Sequence, residues 1–548
     1  MPAHAAIQYA RSSFDTRAGE IMGRLVAGET FLKAWIAHGD ADPLTAWVHN
    51  HADALAFEDH TRELGVTSEI AVAGAENFAP LLNAGTLWLA DPAIARHAWE
   101  RRWFRQDAWS IVGITHTIST GRAMDGLAAL LTAPVQPWDA LICTSRAARD
   151  AVRSLLDDQA AYLAQRLGAT ACTGPELPII PLGVDCAGFA PDPAARARWR
   201  KELGIGEDEV AVLQFGRMAI HLKAHPLPLY LALRQAARMQ PERRLHLIFA
   251  GQPINPEQGE RFRQLAAGFT DTITTHFVDG ARADAGSVRA AADIFALLSD
   301  NIQESFGLAP IEAMAAGLPV VGSAWDGLRD TIEHGVTGFL IDTILPAQGT
   351  GEILARRHAL GADDYHHYIG AVAQFTAIDV GQAAQAFAAL AADPALRRRM
   401  GDAAAARARA LYDWRHVIGA YRRLIDQLTE IRAYAAERAP RGSRPANPAR
   451  MDPCRMFGAY PNARLDADTK LAATGLATRV RDLPGAIDMA AVVPRALPEP
   501  DMLDAMLARL AERPIALVEL IGLFPDAERR MLVAGVAFLL KFGLIARV

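Results

Sequence analysis

The 548-residue chain is too long for a single hydrophobic core, and its length suggests about three to four domains. Hydrophobic residues make up 51% and charged residues 22%, a globular composition that excludes a fibrous or wholly disordered protein. The formal charge of −6 and the pI near 6.3 give no general argument for nucleic acid as a partner, which is not expected. Cys143, Cys172, Cys186 and Cys454 have no metal-ligand spacing and read as buried thiols in a reducing compartment. The N-terminus lacks a basic segment followed by an apolar core, and the best apolar run, Met531 to Ile545, is short and carries Lys541. A soluble cytoplasmic protein is the expectation, with peripheral membrane contact left open.

In chain order, the predicted strands of the first half are Ala5–Tyr9, Leu44–Val48, Glu69–Ala73, Thr86–Leu89, Ser110–Thr115 and Ala140–Thr144. A second series comprises Val210–Phe215, Leu245–Ala250, Thr274–Val278, Asp293–Leu298 and Pro319–Gly322. Strands alternating with helical patterns predict open parallel sheets, an α/β fold of two doubly wound halves meeting near residue 190. Ligands of such sheets bind at the carboxyl ends of the strands, here in a cleft between the halves. Arg438 to Arg450, rich in proline and arginine, reads as a linker. Beyond it, Gly485–Pro500 reads as an extended strap. Leu503–Leu510, Ala516–Leu523 and Arg529–Leu540 have helical spacing, and Phe542–Arg547 suits a short strand. That pattern weakly resembles a winged-helix module, but without a dense basic helix it favours subunit or partner docking over DNA binding.

The motif with the most chemistry is Glu304-Ser-Phe-Gly-Leu-Ala-Pro-Ile-Glu312. A buried strand precedes it and a helical composition follows, so Ser305–Leu308 is a strand-to-helix turn. Free amides and the dipole at such a helix start favour an anion, typically a phosphate. Glu304 flanks that site and Glu312 lies about a turn inside the helix, an arrangement suited to a hydroxyl-rich ligand that carries phosphate. Arg217 and Lys223, after the strand Val210–Phe215, form a candidate pyrophosphate clamp. His116 ends a strand at the cleft edge, and Gly23, in Ile21-Met-Gly23, allows close approach of backbone to a ligand.

Other clusters read as structure. Asp40/Asp42 and Asp466/Asp468 lack the setting of a metal clamp. His366 and His367, beside Tyr365 and Tyr368 and near His358, suit a packed or solvated insertion better than a metal site. Arg96–Arg105 predicts a helix packed by Trp99 and Trp103, with its arginines solvated; the alternative is a membrane-facing surface.

These residues resemble the retaining nucleotide-sugar glycosyltransferases of the GT-B fold, specifically glycosyltransferase family 4 with its glycogen synthase and sucrose synthase relatives. The resemblance covers roughly residues 5 to 430. It is carried by Asp293 through Glu304–Glu312, Ala315-Ala-Gly-Leu-Pro-Val-Val321 and Gly335–Leu340, by Pro181-Leu-Gly-Val-Asp185 with Phe189, and by Trp414 at the start of the final helix. It implies residues 1–190 as an acceptor-side domain and 191–410 as a nucleotide-sugar domain with an insertion at about 343–378. A helix over 411–437 would return to the first domain, followed by a linker at 438–450 and an accessory module at 451–548.

By the same resemblance Glu304 would bind donor-sugar hydroxyls, and the backbone of Phe306, Gly307 and Leu308 would sit by the sugar and distal phosphate. Glu312 would accept the ribose hydroxyls, Arg217 and Lys223 would neutralise the departing diphosphate, and His116 would contact the sugar near the reacting carbon. Gly23 would be the first phosphate-loop glycine, although Met22 stands where the family usually has the other glycine of that loop. The implied enzyme is a metal-independent transferase without a cofactor, using a UDP- or GDP-sugar and an unidentified acceptor: glycan, lipid-linked, small-molecule or protein. A nucleotide-sugar epimerase and a non-catalytic sensor or assembly scaffold are the alternatives.

Overall fold

The structure is a computed structural model that describes residues 4–18, 23–282, 284–436, 447–483, 485, 497–525 and 529–548. The chain divides into two compact units, Met1–Pro448 and Ala449–Val548. Most of the expected linker and strap, residues 437–446 and 486–496, lies outside the described residues, as do Ile21 and Met22.

The first unit holds two parallel six-stranded sheets. Strands β1 (Ala6–Gln8), β2 (Leu44–Trp47), β3 (Ile70–Ala73), β4 (Thr86–Trp88), β5 (Ser110–Ile114) and β6 (Ala140–Ile142) pair in the order β3-β2-β1-β4-β5-β6. Strands β7 (Val210–Phe215), β8 (Leu245–Gly251), β9 (Ile273–Asp279), β10 (Ile294–Leu297), β11 (Val320–Ser323) and β12 (Gly338–Ile341) pair as β12-β11-β10-β7-β8-β9. Most of these strands are buried along their length because helices cover both faces, which is why they read as unbroken apolar runs. In each sheet the order reverses beside the first strand, between β1 and β4 and between β7 and β10. The crevices at those two points are where the topology places ligands.

The helix Trp414–Ala436 packs against the first sheet. Trp414, Val417, Ile418, Tyr421, Ile425 and Leu428 recur at helical spacing and share one core with Ile7, Tyr9, Phe31 and Trp35. Phe31 stacks on Trp88 at 3.9 Å and meets Trp414 and Tyr421 edge-on. The crossover segment runs directly against this helix: Val184 donates to Tyr412 O at 2.8 Å, and Trp414 donates back to Val184 O at 3.1 Å. A Cβ on Gly183 would stand 2.4 Å from the Trp414 ring, so glycine is required by space there.

The segment after Asp342 is a clipped excursion. Thr343–Ile344 pairs antiparallel with Ala377–Ile378, closing the base of a loop that carries the helices Glu352–Ala359 and Tyr365–Ala373. Tyr365 Oη lies 3.4 Å from Ser119 Oγ of the first half. His358 stacks on Tyr368 at 4.5 Å.

The stretch 96–105 departs from expectation. Its helix spans only Ala95–Arg101, and Trp103 and Phe104 are exposed. Arg101 is instead fully buried, bonded by both terminal nitrogens to Asp139 at 2.6 and 2.7 Å. Asp139 also accepts the Ile111 and Gln136 amides, so this ion pair has the additional hydrogen bonds that burial demands. The thiols differ among themselves too: Cys143 and Cys186 are buried, whereas Cys454 is exposed.

The second unit contains a three-stranded antiparallel sheet, Ile515–Ala516, Lys470–Ala473 and Ile545–Arg547 in that spatial order. Helices Pro500–Glu512, Leu517–Gly522 and Arg529–Lys541 pack on it through Leu503, Leu507, Leu520, Leu532 and Leu539. The expected helix Ala516–Leu523 is observed as Leu517–Gly522, with Ala516 ending the strand before it. Among the described residues no helix is long and apolar enough to cross a membrane.

Candidate active site

The segment after β10 builds the centre of the site. Asn301 Oδ1 accepts the Gln303 amide at 2.9 Å, and Asn301 Nδ2 donates to His221 O at 2.8 Å, tying this segment to the turn after β7. That turn carries Lys223, whose Nζ forms an ion pair with Glu304 Oε2; the two side chains are 25% and 11% exposed. Gly307 then takes a left-handed conformation, φ +90°, and opens the helix Leu308–Ala315, to whose first turn no side chain bonds as a cap. Its orphan amides are therefore available to an anion beside a lysine. A Cβ on Gly327 would lie 2.5 Å from Phe306 Cα, so the loop after β11 is pressed against the same turn.

Glycines also clear the ends of the neighbouring strands. Gly216 and Gly251 have φ +143° and +146°, and a Cβ on Gly251 would stand 1.9 Å from Gly216 O. The chain turns there with the tips of β7 and β8 in close contact, and Arg217 follows directly. Arg217 is half-buried and makes no side-chain hydrogen bond or ion pair with another described residue.

Glu312 is engaged from the other side. One of its carboxylate oxygens is held by Arg289, whose guanidinium also lies over the rings of Phe215 and Phe189 at 4.4 and 4.8 Å. Sequence reasoning missed Arg289, because Ser-Val-Arg-Ala-Ala is unremarkable until folding sets it beside Glu312.

His116 follows β5 in the first half. Its Nδ1 accepts the Thr117 amide at 2.7 Å, which fixes the ring. It borders a cavity of about 310 Å³ at the carboxyl ends of the first sheet, together with Gln8, Arg122, Trp88, Trp414 and Tyr421. Gly28 belongs to this wall as well, and a Cβ there would meet Ser13 O at 2.0 Å. Gly23 is the first residue of the helix Gly23–His38.

The two halves touch beside the Glu304 turn. Thr144 Oγ1 donates to Ser305 O at 3.3 Å, Ser145 Oγ to Asp326 Oδ1 at 2.8 Å, and Arg146 pairs with Asp330 at 2.6 Å. Burial pushes the Asp326 carboxyl up to about 7, and nearby Glu304 and Asp330 add to the rise. The acidic pairs set aside from the sequence are occupied locally: Asp40 binds Arg422 at 2.6 Å, and Asp466 accepts the Thr469 hydroxyl at 2.7 Å. Among the described residues no three His, Cys, Asp or Glu side chains gather as a metal site.

The chain is a two-sheet α/β protein of the GT-B architecture, in which the uncapped start of the helix Leu308–Ala315 lies beside the Lys223–Glu304 pair. Residues 195–348 match the family model described as glycosyl transferases group 1. The chain is 32% identical over 275 residues to a D-inositol 3-phosphate glycosyltransferase of Geodermatophilus obscurus, covering 48% of this chain and 59% of that protein. A protein of the same name from Segniliparus rotundus is 28% identical over 354 residues, covering 58% and 76%. The chain spans about three fifths of the length of the first relatives it matches. Among solved structures, the sucrose-phosphate synthase of Thermosynechococcus elongatus aligns with a TM-score of 0.47 and 18% identity, over 78% of this chain and all of that one.

Proposed function

We propose that the chain is a retaining, metal-independent glycosyltransferase of family 4 that moves a sugar from a nucleoside diphosphate to a hydroxyl acceptor. The observation that carries this reading is the Lys223–Glu304 pair at the open start of the helix Leu308–Ala315. In the free protein the lysine and the carboxylate neutralise one another. A nucleotide sugar separates their tasks, its phosphate taking the lysine and the helix amides while its hydroxyls take Glu304.

Breaking the bond from the anomeric carbon to the phosphate oxygen sends the electron pair to the diphosphate. Lys223, Arg217 and the helix start then face growing negative charge, the kind of preorganised stabilisation that dominates many enzymes. The acceptor oxygen bonds to the anomeric carbon from the face the phosphate leaves, and its proton passes to the departing phosphate oxygen. Glu312, held by Arg289, takes the ribose. His116 stands on the acceptor side, next to the 310 Å³ cavity. Relatives are named for D-inositol 3-phosphate, and we take the acceptor to be a polyol or polyol phosphate with its anion toward Arg122.

The test is a screen of UDP- and GDP-sugars against polyols and polyol phosphates, reading nucleotide release and product mass. Acceptor-dependent release with a matching gain in acceptor mass supports transfer. Release of an altered sugar without acceptor would make the protein an epimerase, and binding without turnover a sensor.

A further inference from the structure

Three carboxylates meet where the two halves touch beside the turn Ser305–Leu308. Glu304 is paired with Lys223. Asp330, in the short helix Leu328–Thr331, is paired at 2.6 Å with Arg146, which opens the helix Arg146–Leu167 of the first half. Asp326 forms no ion pair with another described residue; its side-chain partner is neutral, the Ser145 hydroxyl, which donates to Oδ1 at 2.8 Å.

The backbone singles out the same residue. Asp326 has φ +39°, a left-handed conformation that Asp and Asn visit more readily than other side chains. Gly327 follows it with no room for a Cβ against Phe306 Cα, and Thr144, just before Ser145, donates to Ser305 O. The Asp326–Ser145 contact therefore braces the turn that meets the donor.

Charge counting gives this contact a consequence. In the free protein three carboxylates face two cations, and burial together with the Glu304 and Asp330 charges lifts the Asp326 carboxyl to about 7. The other charged groups packed here leave that count unchanged: Arg407 and Tyr412 donate to Asp330 O, Arg407 also pairs with Glu333 at 3.4 Å, and Arg329 is exposed to solvent. A nucleotide sugar draws Lys223 to its diphosphate, leaves Glu304 facing a hydroxyl in place of a cation, and adds negative charge of its own. A proton from solvent offsets part of this, and Asp326 is the carboxylate with no cation to keep it ionised.

We propose that Asp326 is a positioning residue of the donor site that takes up a proton when a nucleotide sugar binds, its neutral form bracing the donor turn against the first half through Ser145. The proposal rests on the donor-site reading above. Donor affinity then falls as pH rises through neutrality, because binding to the ionised form must first supply the proton.

The full-length protein is titrated calorimetrically with UDP-glucose and GDP-mannose, whose diphosphates do not titrate near pH 7, in buffers of different ionisation enthalpy. Wild type should take up roughly half a proton per donor at pH 7.5 and lose about threefold in affinity between pH 7 and 8, as linkage requires for a carboxyl whose proton affinity rises on binding. Asp326→Asn keeps the left-handed backbone and an acceptor for Ser145 while mimicking the neutral acid. It should bind the donor at pH 8 about as tightly as wild type does at pH 6, without the proton uptake. Asp326→Gly, which also suits the backbone but removes the Ser145 contact, should lose both the uptake and affinity at every pH. Donor binding without proton uptake in wild type, or uptake that persists in Asp326→Asn, would overturn this proposal alone. So would an Asp326→Asn affinity lowered equally at every pH, the mark of a merely structural role. A folded wild-type protein that binds neither nucleotide sugar would overturn the donor-site reading and this proposal with it.

Discussion

Replacing Lys223 by methionine separates the two jobs the structure gives this side chain. In the free protein its loss strands the Glu304 carboxylate, which is 11% exposed. Breaking a fully buried pair costs about 3–5 kcal/mol, but Lys223 is a quarter exposed and water can replace part of the contact. A destabilisation of about 1–2 kcal/mol is therefore expected, read as a lower urea midpoint with unchanged slope. The catalytic loss should be larger. Removing one preorganised donor from a developing anion typically costs about 2.7–4 kcal/mol, or roughly 10²–10³ in kcat. Nucleotide release should be measured at saturating donor and acceptor, well below the unfolding temperature. A folded Lys223→Met enzyme turning over within about threefold of wild type would refute the assignment of Lys223 to the leaving group.

Other outcomes follow from the same geometry. Asp139→Ala leaves Arg101 buried without its partner and should cost about 3–5 kcal/mol by urea unfolding; a loss below about 1 kcal/mol would contradict that burial. Gly327→Ala puts a Cβ 2.5 Å from Phe306 Cα, where backbone cannot yield cheaply, so calorimetry should find weaker donor binding in a protein that still folds. Asp300 has its carboxyl raised by burial from 3.8 to about 7, so between those values the folded state holds a proton that the unfolded state releases. Stability should then fall as pH rises from about 4 to 7 and level off above, with Asp300→Asn flattening the profile; a steeper fall in the mutant would show the sign to be wrong. Turnover should survive EDTA, because the proposed charge stabilisation comes from Lys223, Arg217 and helix amides; loss restored by a divalent ion would assign that role to metal.

How much was legible in the sequence depended on range. Parallel strands buried on both faces leave an apolar run such as Val210–Phe215 that needs no partner to be read, and β1 to β11 end within one or two residues of the expected bounds, whereas β12 was not among the predicted strands and the strand expected from Phe542 begins only at Ile545. Glu304 and Glu312 were visible because both belong to one turn-and-helix unit. Their counterions differ in origin. Lys223 follows a recognisable strand, whereas Arg289 becomes important only through a contact made 23 residues away. Arg101 shows the same limit more sharply: it reads as a solvated arginine on a helix packed by Trp99 and Trp103, whereas it pairs in the core with Asp139, 38 residues on, and Trp103 is exposed.

The central claim is tested most directly by mass analysis of products from wild type and Glu304→Ala, incubated with a nucleotide sugar that binds and a panel of polyols and polyol phosphates. Wild type should release one nucleoside diphosphate for each acceptor that gains one sugar, and folded Glu304→Ala should do neither at a measurable rate. Equal product from both proteins, or nucleotide release with no gain in acceptor mass, would contradict it.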